Sequence, residues 1–216
     1  MNYFSHFDQS LDRKFQMFRR YLNFGSRHAS FDQRNRLMAK GLPKPHCWIL
    51  DVGANIGQAA NMLAGLGHYV VGVEKFAKEQ QVACRNSEEG TAFMHASVTP
   101  DMIRSSPSWD AILLLSVLHR IYAFEGEAYM RAILNACGEK TSHLFIEGST
   151  RHKRYMDGGH AAPAFADFDV DDAVHWHNEL FRDELGAGWR IWPVTVLKHS
   201  KNEPHRLLFQ AVKQSG

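Results

Sequence analysis

Ile49-Leu50-Asp51-Val52-Gly53-Ala54-Asn55-Ile56-Gly57, with Val70-Val71-Gly72-Val73-Glu74 further along, decides the reading of this chain. The first stretch is an apolar run carrying an acid and then two spaced glycines. The second is an apolar run that ends on an acid. Together they read as a buried strand, a glycine turn, a helix and a second strand. A nucleotide-like cofactor can lie across such a βαβ edge. Glycine lets the backbone come close, and an acid at the second strand end can accept both hydroxyls of a ribose. Spacing narrows the choice of ligand. Dinucleotide sites carry Gly-x-Gly-x-x-Gly, where amides and a helix N-terminus hold a pyrophosphate. This chain has Gly53-x-x-x-Gly57, with Asp51 at the strand end. An acid there suits a cationic or amine-bearing ligand and repels a pyrophosphate.

Outward from this unit, strand and helix patterns alternate, which argues for an α/β protein with a parallel sheet. The predicted strands are Trp48–Val52, Tyr69–Glu74, Thr91–His95, Trp109–Leu115 and His143–Glu147. Helices are predicted over 58–66, 77–86, 100–105 and 126–137, with Gly67 and Gly138 standing where C-terminal caps stand. A polar loop over 148–169 is too long for a plain connection. A helix from Asp171 to Leu185 follows, and then two strands, Arg190–Leu197 and Arg206–Val212, that read as an antiparallel pair. Upstream, Phe4, Phe7, Leu11, Phe15, Phe18 and Leu22 form one face of an amphipathic helix whose other face carries Arg13, Lys14, Arg19 and Arg20. A second short helix is expected to start at Ser30, where Ser30-Phe31-Asp32-Gln33 fits a capping box, and to end at Gly41. The expected division is an N-terminal helical extension over 1–45 and a ligand-binding domain over 46–216.

Composition sets outer bounds. At 216 residues, 44% apolar and 22% charged, the chain suits one domain with a substantial core. A formal net charge of +2 does not by itself argue for nucleic acid. Cys47, Cys84 and Cys137 lie far apart with no Cys-x-x-Cys, against a disulfide frame or zinc knuckle. No basic-then-apolar leader and no apolar run long enough to span a bilayer is present, so a soluble, cytoplasmic protein is expected. His160, His175 and His177 invite a metal reading. His-x-His places both rings on one side only in a strand, however, and 171–185 reads as helix, so no metal site is expected.

The segment Asp51 to Gly57 with Glu74 resembles motif I and the motif II acid of the class I S-adenosylmethionine (SAM) dependent methyltransferases. The element order, with its final hairpin, is similar too. The resemblance implies a Rossmann-like three-layer sandwich with a seven-stranded, mostly parallel sheet whose last strand is antiparallel, and SAM as cofactor. It implies that Gly53, Ala54, Asn55 and Gly57 line the methionine and ribose side, that Asp51 supports the turn or the amine, and that Glu74 holds the ribose hydroxyls. After strand three the family offers a polar side chain, usually an acid, to the adenine. Met94-His95-Ala96-Ser97-Val98 has no acid, and Ser97 is the nearest substitute.

A second stretch runs from Trp109 into Ser116-Val117-Leu118-His119-Arg120-Ile121. It resembles the Ser-Val-(Leu/Phe)-His-(His/Arg)-Ile turn of small-molecule and sugar-phosphate methyltransferases, among them the methyltransferase domain of bacterial O-antigen chain-terminating enzymes. The likeness extends to Leu144-Phe145-Ile146-Glu147, covers under half of the chain, and departs in having Arg120 where a second histidine is often found. It implies a turn that faces the transferred methyl group, with Ser116 and Leu118 beside the cofactor.

His119 is the candidate base, because an imidazole titrates near neutrality and can take a hydroxyl proton. With an anionic acceptor no base is needed, and His119 or Arg120 would position it. A histidine that only caps the turn is the structural alternative. Glu147 either orients His119 or the substrate, or is structural. Arg151, His152, Lys153 and Arg154 form a basic cluster that suits a phosphate or is a solvated loop. The expected activity is methyl transfer to an oxygen of a small-molecule or carbohydrate/phosphate acceptor. An RNA methyltransferase is one alternative, with Arg13, Lys14, Arg19, Arg20, Arg34, Arg36 and Arg151 to Arg154 tracking the backbone. The balanced charge and the lack of Asn-Pro-Pro-(Tyr/Phe) after strand four stand against it. A catalytically inactive SAM-binding partner is the other, supported only by the missing acid at Ser97.

Overall fold

Five short segments form the parallel body of a sheet: β1 (Trp48–Val52), β2 (Tyr69–Glu74), β3 (Thr91–His95), β4 (Ala111–Leu115) and β5 (His143–Ser149). The central β1, β2 and β4 are rich in Val, Ile and Leu, whereas β3, at the edge, is Thr-Ala-Phe-Met-His. The computed structural model describes residues 28–150, 169–197 and 206–214. Helices α1 (His28–Gly41), α2 (Gln58–Gly65), α3 (Ala77–Arg85), α4 (Pro100–Ser105), α5 (Leu118–Glu125), α6 (Glu127–Lys140) and α7 (Val170–Leu185) precede, separate and follow these strands. Strands β6 (Trp189–Leu197) and β7 (Arg206–Lys213) complete a seven-stranded sheet of order β3-β2-β1-β4-β5-β7-β6. Its first five strands run parallel, and β7 inserts antiparallel between β5 and β6. Pro193 interrupts the β6 register, which an edge strand tolerates because one side of it lacks a partner.

Alternation along the strands divides the core into two layers. Leu50, Val52, Ile112 and Leu114 pack with α6 and α7 residues such as Ile133, Leu134 and Phe181. Ile49, Leu113 and Phe145 pack on the opposite face with Met38 and Ala39 of α1 and Ala60 and Leu63 of α2. This is the three-layer α/β sandwich that the methyltransferase resemblance implies; the sequence pattern by itself argues for an α/β protein with a parallel sheet. The sheet begins at Trp48, and its core draws on residues before position 46, since α1 supplies Met38 and Ala39 to it.

Several boundaries differ from expectation, each for a local reason. Helix α1 begins at His28, so Ser30 lies within it and does not cap it. Gly138 is inside α6, which runs on to Lys140. A Cβ at Gly138 would sit 2.7 Å from Leu185 Cδ2, so this glycine lets α6 and α7 pack closely. Gly67, by contrast, is the C-terminal cap expected of it. Its φ is 94°, its N–H donates to Ala64 O at 2.7 Å, and the His68 N–H donates to Leu63 O at 3.2 Å. Trp109 forms only an isolated bridge with Thr141, and β4 proper starts at Ala111. Helix α5 was not anticipated. Its Leu-His-Arg-Ile-Tyr-Ala-Phe-Glu sequence is rich in aromatic and branched residues of modest helix propensity and continues the apolar run of β4. The Phe stripe from Phe4 to Leu22 and the basic loop at 151–154 lie outside the described residues. Among the described residues no helix is long and apolar enough to cross a membrane.

Candidate functional site

Strand β1 lies between β2 and β4, and the chain winds outward from it in both directions. That reversal opens a crevice at the carboxyl ends of β1 and β4. The turn after β1 fills its lip with three left-handed residues, Gly53 (φ 76°), Asn55 (φ 52°) and Gly57 (φ 79°). Asparagine visits this region more readily than most side chains, so only two glycines are required. The Gly53 and Ala54 N–H groups both donate to Val73 O, at 2.8 and 3.0 Å, which pins the turn to β2. The surroundings are tight. A Cβ at Gly53 would approach Val117 Cγ2 to 2.9 Å, and one at Gly57 would approach Phe93 to 2.6 Å. Gly72, to which the sequence assigned no role, is equally constrained, with Phe93 at 2.6 Å and Ala54 Cβ at 2.8 Å from its missing Cβ. A glycine in the middle of an apolar strand was the available signal.

Glu74 ends β2 and is buried. Its Oε2 accepts the Asn55 N–H at 2.8 Å and its Oε1 accepts the Phe76 N–H at 2.9 Å. A carboxylate has about four acceptor positions, so these bonds orient it and leave capacity for further donors. Asp51 is buried at the end of β1. Burial pushes its carboxyl up to about 7, with Arg34 drawing it down and Glu74 pushing it further up. Ala96 N–H donates to Glu74 O at 3.1 Å, which places Ser97, exposed to solvent, beyond β3 on the same rim.

The β4–α5 connection is built on Ser116, whose φ is 56°. A left-handed residue with a side chain costs on the order of 1 kcal/mol, which its surroundings must offset. Here the Ser116 hydroxyl donates to Glu147 Oε1, and Leu115 is in register with Glu147 on β5. Val117 then accepts N–H bonds from Arg120 and Ile121, both at 3.0 Å, to start α5. Leu118 and His119 are buried in the first turn of that helix, and Arg120 is exposed. His119 therefore sits on a helix that begins directly against the glycine turn, through the Gly53–Val117 approach.

Glu147 is 2% exposed, and its second oxygen accepts from Arg34 Nη1 at 2.8 Å. Burial opposes its ionisation. The charges of Arg34 and Arg206, with the hydrogen bonds from Arg34 and Ser116, prevail and hold its carboxyl below the usual range. Arg34 is 4% exposed, bonds Asn35 Oδ1 at 3.2 Å and stacks over the Phe31 ring at 4.7 Å. The sequence offered Arg34 only as an RNA contact. Its guanidinium is instead committed inside the protein. Its i, i+4 relation to the buried Met38 was the one hint that it faces inward.

The two histidines of the His-x-His pair fall on different sides of α7, as expected for a helix: His175 is exposed and His177 buried. The His177 Nδ1–H donates to Ala173 O at 2.6 Å, and burial holds this imidazole down to about 4. Among the described residues no group of three or more His, Cys, Asp or Glu is arranged to hold a metal ion. Arg151, His152 and Arg154 lie outside the described residues.

No family model and no curated protein matches the chain. Solved structures do. The bifunctional kinase-methyltransferase WbdD aligns with a TM-score of 0.61 at 16% identity over 87% of this chain and 39% of its own. Magnesium protoporphyrin IX methyltransferase (ChlM) from Synechocystis PCC 6803, with bound SAM, aligns with a TM-score of 0.58 at 17% identity over 89% of this chain and 85% of its own. The N-terminal domain of EvdMO1, with S-adenosylhomocysteine (SAH) bound, gives 0.58 at 14% identity over 84% and 80%. The chain has the fold of the class I methyltransferases. It spans about two fifths of the length of the WbdD structures it matches.

Within this methyltransferase fold, strand parity sets the side on which the acids project. Asp51 shares a face with Ile49, Glu74 with Val70 and Glu147 with Phe145, and those three apolar residues all belong to the layer covered by α1 and α2. Three carboxyls in the carboxyl-terminal halves of three strands thus point toward the layer from which Arg34 enters.

Proposed function

We propose that the chain is a SAM-dependent methyltransferase acting on an oxygen of a small-molecule or carbohydrate/phosphate acceptor. The observation that carries this reading is the glycine turn held between two partners: Glu74 on one side, through the Asn55 N–H, and the His119-bearing turn on the other, through Gly53 against Val117. The donor set fits the cofactor. Two carboxyls, Asp51 and Glu74, favour a ligand that brings positive charge and paired hydroxyls, and disfavour a pyrophosphate. The SAM and SAH held by the structurally similar ChlM and EvdMO1 support the same choice.

When bound, SAM supplies a methyl carbon on a sulfonium. In this reading Gly53, Ala54, Asn55 and Gly57 would hold its methionine and ribose side, and Asp51 would support the turn or the amine. Glu74 would offer its remaining lone pairs to the ribose hydroxyls, Ser97 would be the polar group for the adenine, and Ser116 and Leu118 would lie beside the cofactor. His119 would take the proton of an acceptor hydroxyl, leaving that oxygen free to accept the methyl group SAM would supply. For an anionic acceptor, His119 and Arg120 position it, with Arg151, His152 and Arg154 as the basic wall. Glu147, ionised and bonded to Arg34 and Ser116, orients and does not abstract. The chain's contribution is to hold donor and acceptor in line and to exclude water. We take it to be a soluble cytoplasmic enzyme, to which its free, dispersed cysteines are suited.

Isothermal calorimetry with SAM and SAH tests the reading. Micromolar binding of both is expected, and absence of binding at millimolar concentration would overturn it. Arg34 is withdrawn from the RNA alternative by its burial and its bond to Glu147.

A further inference from the structure

We propose that Arg34 is a positioning residue that sets the orientation of His119 from the N-terminal helix. The inference rests on the methyltransferase reading for its function, but its geometry stands apart from that reading. Arg34 on α1 holds one oxygen of Glu147, and the other oxygen holds the Ser116 hydroxyl. Ser116 is the left-handed residue that turns β4 into α5, and His119 lies in the first turn of that helix. The link therefore runs guanidinium, carboxylate, hydroxyl, backbone turn, imidazole, across three separate elements.

Charge makes the link directional. Glu147 is buried, and a buried carboxylate that loses its principal partner must gain a proton or move toward water. Either response alters the acceptor that offsets the unfavourable Ser116 backbone. Among the described residues, other ionisable groups acting on this cluster are Arg206 toward Glu147, and Asp51 and Glu74, of which Asp51 also feels Arg34. Arg34 is thus the shared cation of two buried acids. Helix α1, which precedes the sheet in the chain, supplies a cation to the carboxylates at the sheet's carboxyl edge.

The test uses the full chain labelled with 15N-histidine, with the His119 ring signals assigned by their loss in His119→Gln. Arg34→Met is expected to shift those signals, and Arg34→Lys, which restores a cation beside Glu147, to return them toward the wild-type position. Ser116→Ala is expected to shift them too. The double variant Arg34→Met/Ser116→Ala should move them no further than the larger single change, because both act through one link. Unmoved signals in folded Arg34→Met, or additive shifts in the double variant, would overturn the proposal. Should Arg34→Met fail to fold, Ser116→Ala and Arg34→Lys still decide, since unmoved signals in Ser116→Ala break the chain at its second link. SAH calorimetry on the wild type separates the two readings: signals that shift as described with no SAH binding sink the methyltransferase assignment and leave the link standing.

Discussion

Arg34 Nη1 and Glu147 Oε2 lie 2.8 Å apart although 113 residues separate them along the chain, and both side chains are almost wholly withdrawn from solvent. This pair ties the helix that precedes the sheet to the fifth strand of the sheet. Such a pair is costly to break from one side, because the remaining charge is stranded away from water.

Glu147→Ala is therefore expected to lower unfolding free energy by about 3–5 kcal/mol. The double variant Arg34→Met/Glu147→Leu, which removes both charges and keeps the volume, should lose much less. Urea denaturation of the three proteins measures this. Equal losses for the single and double variants would mean that the pair is not what holds α1 in place.

Asp51 makes the opposite contribution. Its carboxyl is moved by burial from an ordinary 3.8 to about 7, so the folded state binds its proton more tightly than the unfolded chain. Below about pH 4 the group is protonated in both states and costs nothing. Its contribution to stability falls as pH rises to about 7, where the cost reaches on the order of 4 kcal/mol. Asp51→Asn should accordingly gain stability relative to wild type between pH 4.5 and pH 8. Denaturation at both values reads the gap, and a gap that does not widen with pH rejects the assignment.

A bound ammonium beside Asp51 would favour its ionised form, so ligand binding should release a proton. SAH affinity is expected to rise between pH 6 and pH 8 in the wild type and to be flatter in Asp51→Asn. Calorimetry in buffers of different ionisation enthalpy counts the proton directly.

Glu74→Ala removes charged hydrogen bonds to the turn and, in the proposed reading, to the ribose. Affinity for SAH should fall about tenfold or more, since hydrogen bonds to charged groups contribute about 1.5–3 kcal/mol. Unchanged affinity would remove Glu74 from the cofactor site.

The glycines should divide sharply. Gly57→Ala places a side chain at φ 79° and 2.6 Å from Phe93, and Gly72→Ala meets Phe93 and Ala54 Cβ. Losses of about 1–3 kcal/mol are expected for each. Gly65→Ala, at the end of α2 with nothing within 4 Å, should instead gain about 0.5 kcal/mol. Thermal melts of the three variants rank them.

Much of the fold is legible in the sequence alone. Periodicity alone placed every strand within a few residues, because each buried strand is a short apolar run closed by a turn or a charged residue. It failed at α5, where the β4 apolar run passes into a helix of similar composition, and at Gly138, where a glycine that permits helix packing looks the same as one that ends a helix. The site shows the same division. Gly53, Gly57, Asp51 and Glu74 are legible as candidates because backbone approach and strand-end acids leave local marks at fixed spacing.

Arg34 left almost none. An arginine on a short N-terminal helix looks like a solvated charge until something distant neutralises it. What the sequence by itself determined is the βαβ unit, the alternation that builds the sheet and the chemistry gathered at its carboxyl edge, since these depend on residues near one another in the chain. Tertiary structure decided which buried acids share a cation, that Glu147 is held ionised between Arg34 and Ser116, and that the glycine turn meets the His119 helix. Those outcomes depend on which side chains meet after burial has removed water, and no local pattern records that.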